Sequence, residues 1–418
     1  MFDESSDIFG PALLCTHVRY IKDGEFQTKL LSINELGSEA TGESLEKIVM
    51  EEIFPKEKEL LLKENLIGIC SDKGPNMLSK EKGLANRLVK KFKHVVAVHD
   101  YSHCFNLVVK YASLKFPQEI KDLVKSISTH FKRSSLRRAA FIKIQKDFGQ
   151  DEVTDFLQVL TFVPTRWTSF LKSSQRILLL WTTLEIYFDQ EKDEDVCTKL
   201  TPENELYLKL LVCLLEKLNS FIVYFESDNR DFSSIIPKLQ QTFLLWGKMV
   251  IKPELFETIT QESIQFSKLF ELKFDNKNEL KKFLITDKEF EDLVVNKYTG
   301  FDSLEIRFSS DFINKLFQSA KEFVIEVLVQ MKNRFPFNNK VIMASQVLHF
   351  ETNHCEHDKW ILLSQSFPNI VSPHNYNSFI NQLDLFESNF TKMKQSFGDG
   401  RNFLSFWNNL DVEEYSFL

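Results

Sequence analysis

The sequence predicts a mixed α/β sheet covered by helices, followed by a large all-α region, and three observations predict it. Residues 11–36 alternate apolar and polar side chains and are rich in β-formers. Two short apolar runs, LIGIC at 66–70 and HVVAV at 94–98, flank a segment of helical spacing. Beyond about residue 150 the strand signal disappears and apolar residues recur at helical intervals. With only 12 Gly and 11 Pro in 418 residues, long helices are favoured over a loop-rich all-β design.

In chain order, ALLCTHVRYI and FQTKLLSI form a hairpin whose turn is Lys22-Asp23-Gly24, an Asp-Gly signal. Residues 43–63 carry Leu45, Ile48, Val49 and Ile53 at helical spacing among many charges. Residues 66–70 read as a short buried strand. Ser79 is the expected N-cap of a helix over 80–92, with Leu84, Leu88 and Val89 on one face. A second short strand at 94–98 precedes helices over 102–115 and 118–148. Alternating strands and helices of this kind build a sheet with helices packed on it.

Thr201-Pro202-Glu203 opens a long helix with a cap, a first-turn Pro and an acid at the positive end of the dipole. Leu206, Leu210, Leu214 and Leu218 follow at steps of four, then Phe221 and Phe225. Further helices are expected over 170–190, 234–250, 254–273, 278–296, 310–333 and 375–396. No fixed period recurs, which argues against a solenoid. The 40 phenylalanines at such spacings read as core.

A net charge of −7 hides an uneven distribution. Residues 80–146 hold 16 Lys and Arg against 4 Asp and Glu, whereas the remainder holds 36 against 55. A basic block inside an acidic chain is a directed electrostatic feature, although solvated helix faces also collect lysines. The six cysteines form no CxxC pair and sit mostly in apolar runs, as buried thiols would. The longest apolar run, Ile177 to Trp181, is too short to span a bilayer, and MFDESSD is no signal peptide. No membrane role is expected.

Several residues could carry chemistry. Asp3 and Asp72 each sit at the end of a candidate strand, where carboxylates from different elements can converge on Mg²⁺ or Mn²⁺. An Asp before Gly-Pro also serves as a turn former. Asp100 and His103 stand one helical turn apart, as two ligands or as a cap and its neighbour. Arg166-Trp167 pairs a cation with a flat apolar surface, able to hold a phosphate and stack a base. His349, His354, Cys355, Glu356 and His357 cluster, but their spacing matches no closed zinc site. Walker, dinucleotide-binding, nucleophile-elbow and kinase signatures are absent from the sequence.

These pieces together resemble the hAT transposase superfamily, in particular its domesticated, zinc-finger (BED)-associated branch. The resemblance runs through DESSD (3–7), CTHVRYI (15–21), NLIGICSDKGPNM (65–77), HDYSHCFNLV (99–108), FKRSSLRR (131–138) and TRWTS (165–169). It continues through FESDNRDF (225–232) and FPFNNKVIMASQVL (335–348). It implies an RNase H-like mixed sheet, interrupted by and followed by a large helical insertion. The implied domains are 1–150 for the core, with its first strand incomplete, and 151–400 for the insertion. Residues 401–418 would begin a catalytic and dimerisation segment. Asp3 and Asp72 fall on the first two acidic positions of the family's triad, and Asp100 with His103 on its D/C-x-x-H motif. Trp167, with Arg166, falls on the tryptophan that handles a flipped base.

The family's third carboxylate is a Glu after the insertion, and Glu413 and Glu414 do not match it. The expected function is therefore a nuclear, transposase-derived protein that retains DNA binding without strand transfer. Mg²⁺ or Mn²⁺ would serve only an active form. Lys132, Arg133, Arg137 and Arg138 are the expected phosphate contacts. Two alternatives are an active metal-dependent transposase or nuclease whose third carboxylate lies beyond this chain, and a helical scaffold for protein partners or a homo-oligomer.

Overall fold

The computed structural model describes residues 1–6, 12–36, 40–53, 65–72, 74–79, 82–148, 157–160, 167–226, 233–298, 301, 304–349 and 356–397. It is mostly helical, with one five-stranded sheet. Two compact units divide the chain. One comprises residues 1–104, 227–239 and 335–418, and the other residues 105–226 and 240–334.

The first unit carries the sheet. Its strands are β1 (Phe2–Ser6), β2 (Ala12–Lys22), β3 (Glu25–Glu35), β4 (Gly68–Ser71) and β5 (Val96–His99), in the order β3-β2-β1-β4-β5. β2 pairs antiparallel with both β1 and β3, and β4 pairs parallel with both β1 and β5. The hairpin follows the sequence expectation closely. Asp23 at φ 52° and Gly24 at φ 75° make the left-handed turn that matches the twist of two paired strands. Asp3 was expected at a strand end but is the second residue of β1, with Cys15 as its register partner. Nor does an incomplete first strand leave a gap: β1 occupies the centre and pairs with both β2 and β4.

Helices α1 (Gly42–Ile48) and α3 (Leu84–Lys91) connect the strands and cover one face; the short α2 (Pro75–Leu78) lies between them in sequence. A capping box formed by Thr41 and Ser44 starts α1. Phe2, Leu14 and Ile69 from the sheet pack with Leu45, Val49, Leu84 and Leu88 from the helices. Burying each such side chain contributes roughly 1.5–3 kcal/mol. Ser79 does not cap α3 as expected; Gly83 occupies that position. The Ser79 carbonyl instead accepts hydrogen bonds from Gly83 N and Asn86 Nδ2, so the chain turns once more before the helix begins. Gly42 approaches this turn so closely that an added Cβ would lie 1.9 Å from the Lys82 carbonyl oxygen.

The second unit is helical. Its elements include most of α4 (Tyr101–Ala112), then α5 (Gln118–Lys132), α6 (Ser135–Phe148), α7 (Trp167–Leu179), α8 (Trp181–Glu191), the short α9 (Glu194–Cys197) and α10 (Pro202–Glu226). The predicted helix over 118–148 is in fact two. It breaks at Arg133-Ser134, where the Ser134 hydroxyl accepts from Arg137 N and starts α6. Leu206, Leu210, Leu214 and Leu218 form the buried row that their spacing predicts. Phe116 meets Tyr207 and Phe323 edge-on, and Phe243 packs on Phe266 and Phe274, so the abundant phenylalanines fill the core.

Candidate functional site

The parallel part of the sheet sets out a row of acidic residues. Phe2 of β1 is in register with Ser71 of β4, and Ser71 with His99 of β5. One residue further along each strand stand Asp3, Asp72 and Asp100. Phe2 and Ser71 are buried and anchor the row. Asp100 N donates to the Ser71 carbonyl at 2.9 Å, which carries the ladder one step past the named strands.

Each of the two aspartates whose side chains are described also has a local role. Asp72 Oδ1 accepts from Gly74 N at 3.1 Å, closing a turn that leaves β4. A Cβ at Gly74 would lie 3.2 Å from the same oxygen, so glycine keeps that approach open. Asp100 Oδ1 accepts from Ser102 N at 2.9 Å and Ser102 Oγ at 2.8 Å, capping the start of α4. His103 lies on the first turn of α4 and is half-buried.

Oδ2 of Asp72 and of Asp100 makes no hydrogen bond among the described residues. Two hard oxygen donors on adjacent strand ends suit half of a Mg²⁺ or Mn²⁺ site. Among the described residues, no group of three or more His, Cys, Asp and Glu is placed to hold a metal.

The basic block is divided by its own architecture. Lys132 and Arg133 are exposed at the C-terminal end of α5. Arg137 and Arg138 turn back from α6 onto the last carbonyls of α5. Arg137 Nη1 donates to His130 O at 3.3 Å, and Arg138 Nη1 to Phe131 O at 2.9 Å and Lys132 O at 3.3 Å. The four cations therefore surround a helix break instead of lining one helix, and two of them satisfy helix-end acceptors.

Beneath them lies a polar group the sequence reading missed. His130, with its side chain 9% exposed, places Nε2 3.0 Å from the Tyr187 hydroxyl and Nδ1 3.5 Å from Asp193 Oδ2. Burial, and then the Arg137 charge, lower its pKa, while Asp193 and Glu191 oppose them. Burial raises Tyr187 to about 12. The signal was a histidine beside Phe131 on the apolar face of an amphipathic helix, which is visible only once the helix phase is known.

Arg166 lies outside the described residues. Trp167 begins α7, only 6% exposed, edge-on to Phe170 with centroids 5.2 Å apart. Lys121 Nζ stands 5.5 Å from its ring centroid, and Asn106 Oδ1 accepts from its backbone N. The cavity beside it, lined by Phe116, Pro117 and Lys121 among others, has a volume of about 10 Å³. That admits no more than a single water, so the indole serves here as core.

Of the His/Cys cluster, His354 and Cys355 lie outside the described residues. His349 Nδ1 is 3.3 Å from Ser233 Oγ, Glu356 pairs with Lys359, and His357 sits 3.6 Å from Glu387 and 3.8 Å from Asp384. Each makes a separate contact. Among the described residues, no helix is long and apolar enough to cross a membrane. No family model matches the chain.

Proposed function

We propose that this chain is a transposase-derived, nucleic-acid-binding protein of the hAT type, built on an RNase H-like sheet and acting on DNA in the nucleus. The observation that carries the reading is the row Phe2–Ser71–His99, followed by Asp3, Asp72 and Asp100 on three neighbouring parallel strands. A central β1, flanked on one side by the antiparallel pair β2–β3 and on the other by parallel β4 and β5, supports the RNase H-like assignment. Lys132 and Arg133, exposed within the basic block, support phosphate contact.

In this reading strand transfer is lost. A two-metal displacement needs carboxylates that hold both the attacking and the leaving oxygen. Asp72 and Asp100 each commit one oxygen to a turn or a cap, which supports a structural inheritance of the acidic row. Mg²⁺ or Mn²⁺ would use the remaining oxygens and supply Lewis acidity there.

Two measurements on the full chain test the proposal. DNA affinity should fall steeply as salt rises, because neutralised phosphates release counterions. DNA incubated with Mn²⁺ should remain uncut; cutting that Asp72→Ala abolishes would overturn the loss of catalysis. A second reading, a helical scaffold for protein partners, is favoured by the buried Trp167 and the engaged Arg137 and Arg138. No DNA binding at low salt would decide for it.

A further inference from the structure

A cleft of about 480 Å³ opens in the helical unit, between the first turns of α10 and the 3₁₀ turn Leu304–Ile306 with the two residues that follow it. That volume falls within the roughly 300–1,000 Å³ of small-molecule sites. Local structure builds both walls. Thr201 Oγ1 accepts from Asn204 N and starts α10, which sets Glu203, Leu206 and Lys209 along the cleft. Opposite them, the Leu304 carbonyl accepts from Arg307 N and Phe308 N, each at 2.9 Å, and both side chains line the same space. Phe308 packs on Phe312, with centroids 5.0 Å apart, and Phe312 meets Tyr207 of α10 edge-on, which ties the two walls together.

The lining combines apolar surface with balanced charge. Leu206 and Leu304, both buried, and the half-buried Phe308 supply the apolar part. Two of the four charged residues cancel, because Lys209 Nζ lies 2.7 Å from Glu205 Oε1, one helical turn back. Glu203 and Arg307 are left over. Among the described residues, neither side chain forms an ion pair or a hydrogen bond. A simple anion would meet Arg307 but also an uncompensated carboxylate, and a simple cation would meet the reverse. A molecule that carries both charges on an apolar body complements the whole cleft. Turned end for end, it would set like charges together, so the two residues also fix its direction.

We propose that this cleft binds an apolar dipeptide with free ends, its ammonium group at Glu203 and its carboxylate at Arg307. The planar guanidinium fork matches a carboxylate through two parallel hydrogen bonds. A side-chain carboxylate accepts in turn from an ammonium group. The two apolar side chains of the ligand cover Leu206, Leu304 and Phe308, and the water they displace from that surface adds to affinity. A single apolar amino acid carries the same charges but leaves much of the volume to water. Binding is noncovalent. It does not depend on the nucleic-acid reading, since all of these residues lie outside the basic block at 80–146.

The test titrates the full chain with phenylalanyl-leucine by isothermal calorimetry, beside its N-acetyl and C-amide derivatives, free leucine and inorganic phosphate. The free dipeptide should bind, and each blocked derivative should bind about three- to tenfold more weakly, as should leucine. Glu203→Gln should weaken the free dipeptide by a similar factor and leave the N-acetyl derivative unchanged. Arg307→Gln should weaken the free dipeptide likewise and leave the C-amide derivative unchanged. Both positions are exposed, so both variants should fold as wild type does, which melting curves check. No binding at about 10 mM dipeptide, an affinity that neither variant changes, or phosphate bound as tightly as the dipeptide overturns the proposal.

Discussion

Arg138 Nη1 donates to the Phe131 carbonyl at 2.9 Å, so a residue of one helix closes the end of the helix before it. The last four carbonyls of a helix lack partners within it, and a cation there also meets the negative end of the dipole. Arg138→Ala should cost about 1–2 kcal/mol in urea unfolding, with Arg138→Lys recovering part of it. Lys132→Ala and Arg133→Ala should stay within about 0.5 kcal/mol of wild type, because both side chains are exposed and neither donates to a carbonyl among the described residues.

The same division appears in nucleic-acid binding. If Lys132 and Arg133 contact phosphates, the slope of log affinity against log salt should shrink by about one for each residue replaced by Ala. The measurement is fluorescence anisotropy with duplex DNA across a salt series. Unchanged slopes in the double variant would remove this surface from the interface.

His130 predicts an acid-sensitive fold. Its folded-state pKa lies below the unfolded value, so between the two the unfolded chain binds more protons. Stability is then fully present above about pH 6.5 and declines as pH falls below it. Urea midpoints at pH 8, 6.5 and 5 should show that decline. His130→Gln, measured across the same series, should flatten it while lowering stability at pH 8.

Gly42 and Gly68 offer a matched pair. Ala at 42 would drive a methyl group into the Lys82 carbonyl, which is backbone and cannot swing aside. Gly42→Ala should cost about 1–3 kcal/mol or more. At Gly68 the nearest atom to an added Cβ is the Val96 carbonyl oxygen, 3.6 Å away, an ordinary contact. Gly68→Ala should be tolerated, and thermal melts of both variants decide the matter.

Lys321 is 8% exposed, with Nζ 2.6 Å from both Ile285 O and Asp287 Oδ1. Lys321→Met should cost about 1–3 kcal/mol by leaving the Ile285 carbonyl without this donor. Asp287→Asn should cost far less, since that side chain is 88% exposed and water replaces the pairing. Reversing that order would mean that the ion pair, not the carbonyl contact, matters.

The elements that could be read from sequence are those governed by local rules. The Asp23-Gly24 turn and the leucine row of α10 follow from backbone preference and a 3.6-residue period. Ser79 misled because a capping residue is recognised by type, whereas the start of α3 was moved by a turn stabilised through Asn86. The break at Arg133-Ser134 was hidden because no Gly or Pro marks it. In the acidic row, Asp72 and Asp100 could be found as residues following short apolar runs, whereas Asp3 lies inside β1; that the register aligns them depends on pairings sixty-nine and twenty-eight residues apart in sequence. The contacts of Trp167 with Lys121 and Asn106 arise from tertiary packing.

The discontinuity of the sheet-bearing unit has a consequence for how the polypeptide is made. A ribosome releases residues 1–104 well before residues 335–397, which cluster with them. Tyr101, whose ring lies tilted against that of Phe335 with centroids 5.9 Å apart, must wait for a neighbour that emerges more than two hundred residues later. During that interval its aromatic surface is available to chaperones, and a nascent chain stalled before Phe335 should be recovered with them.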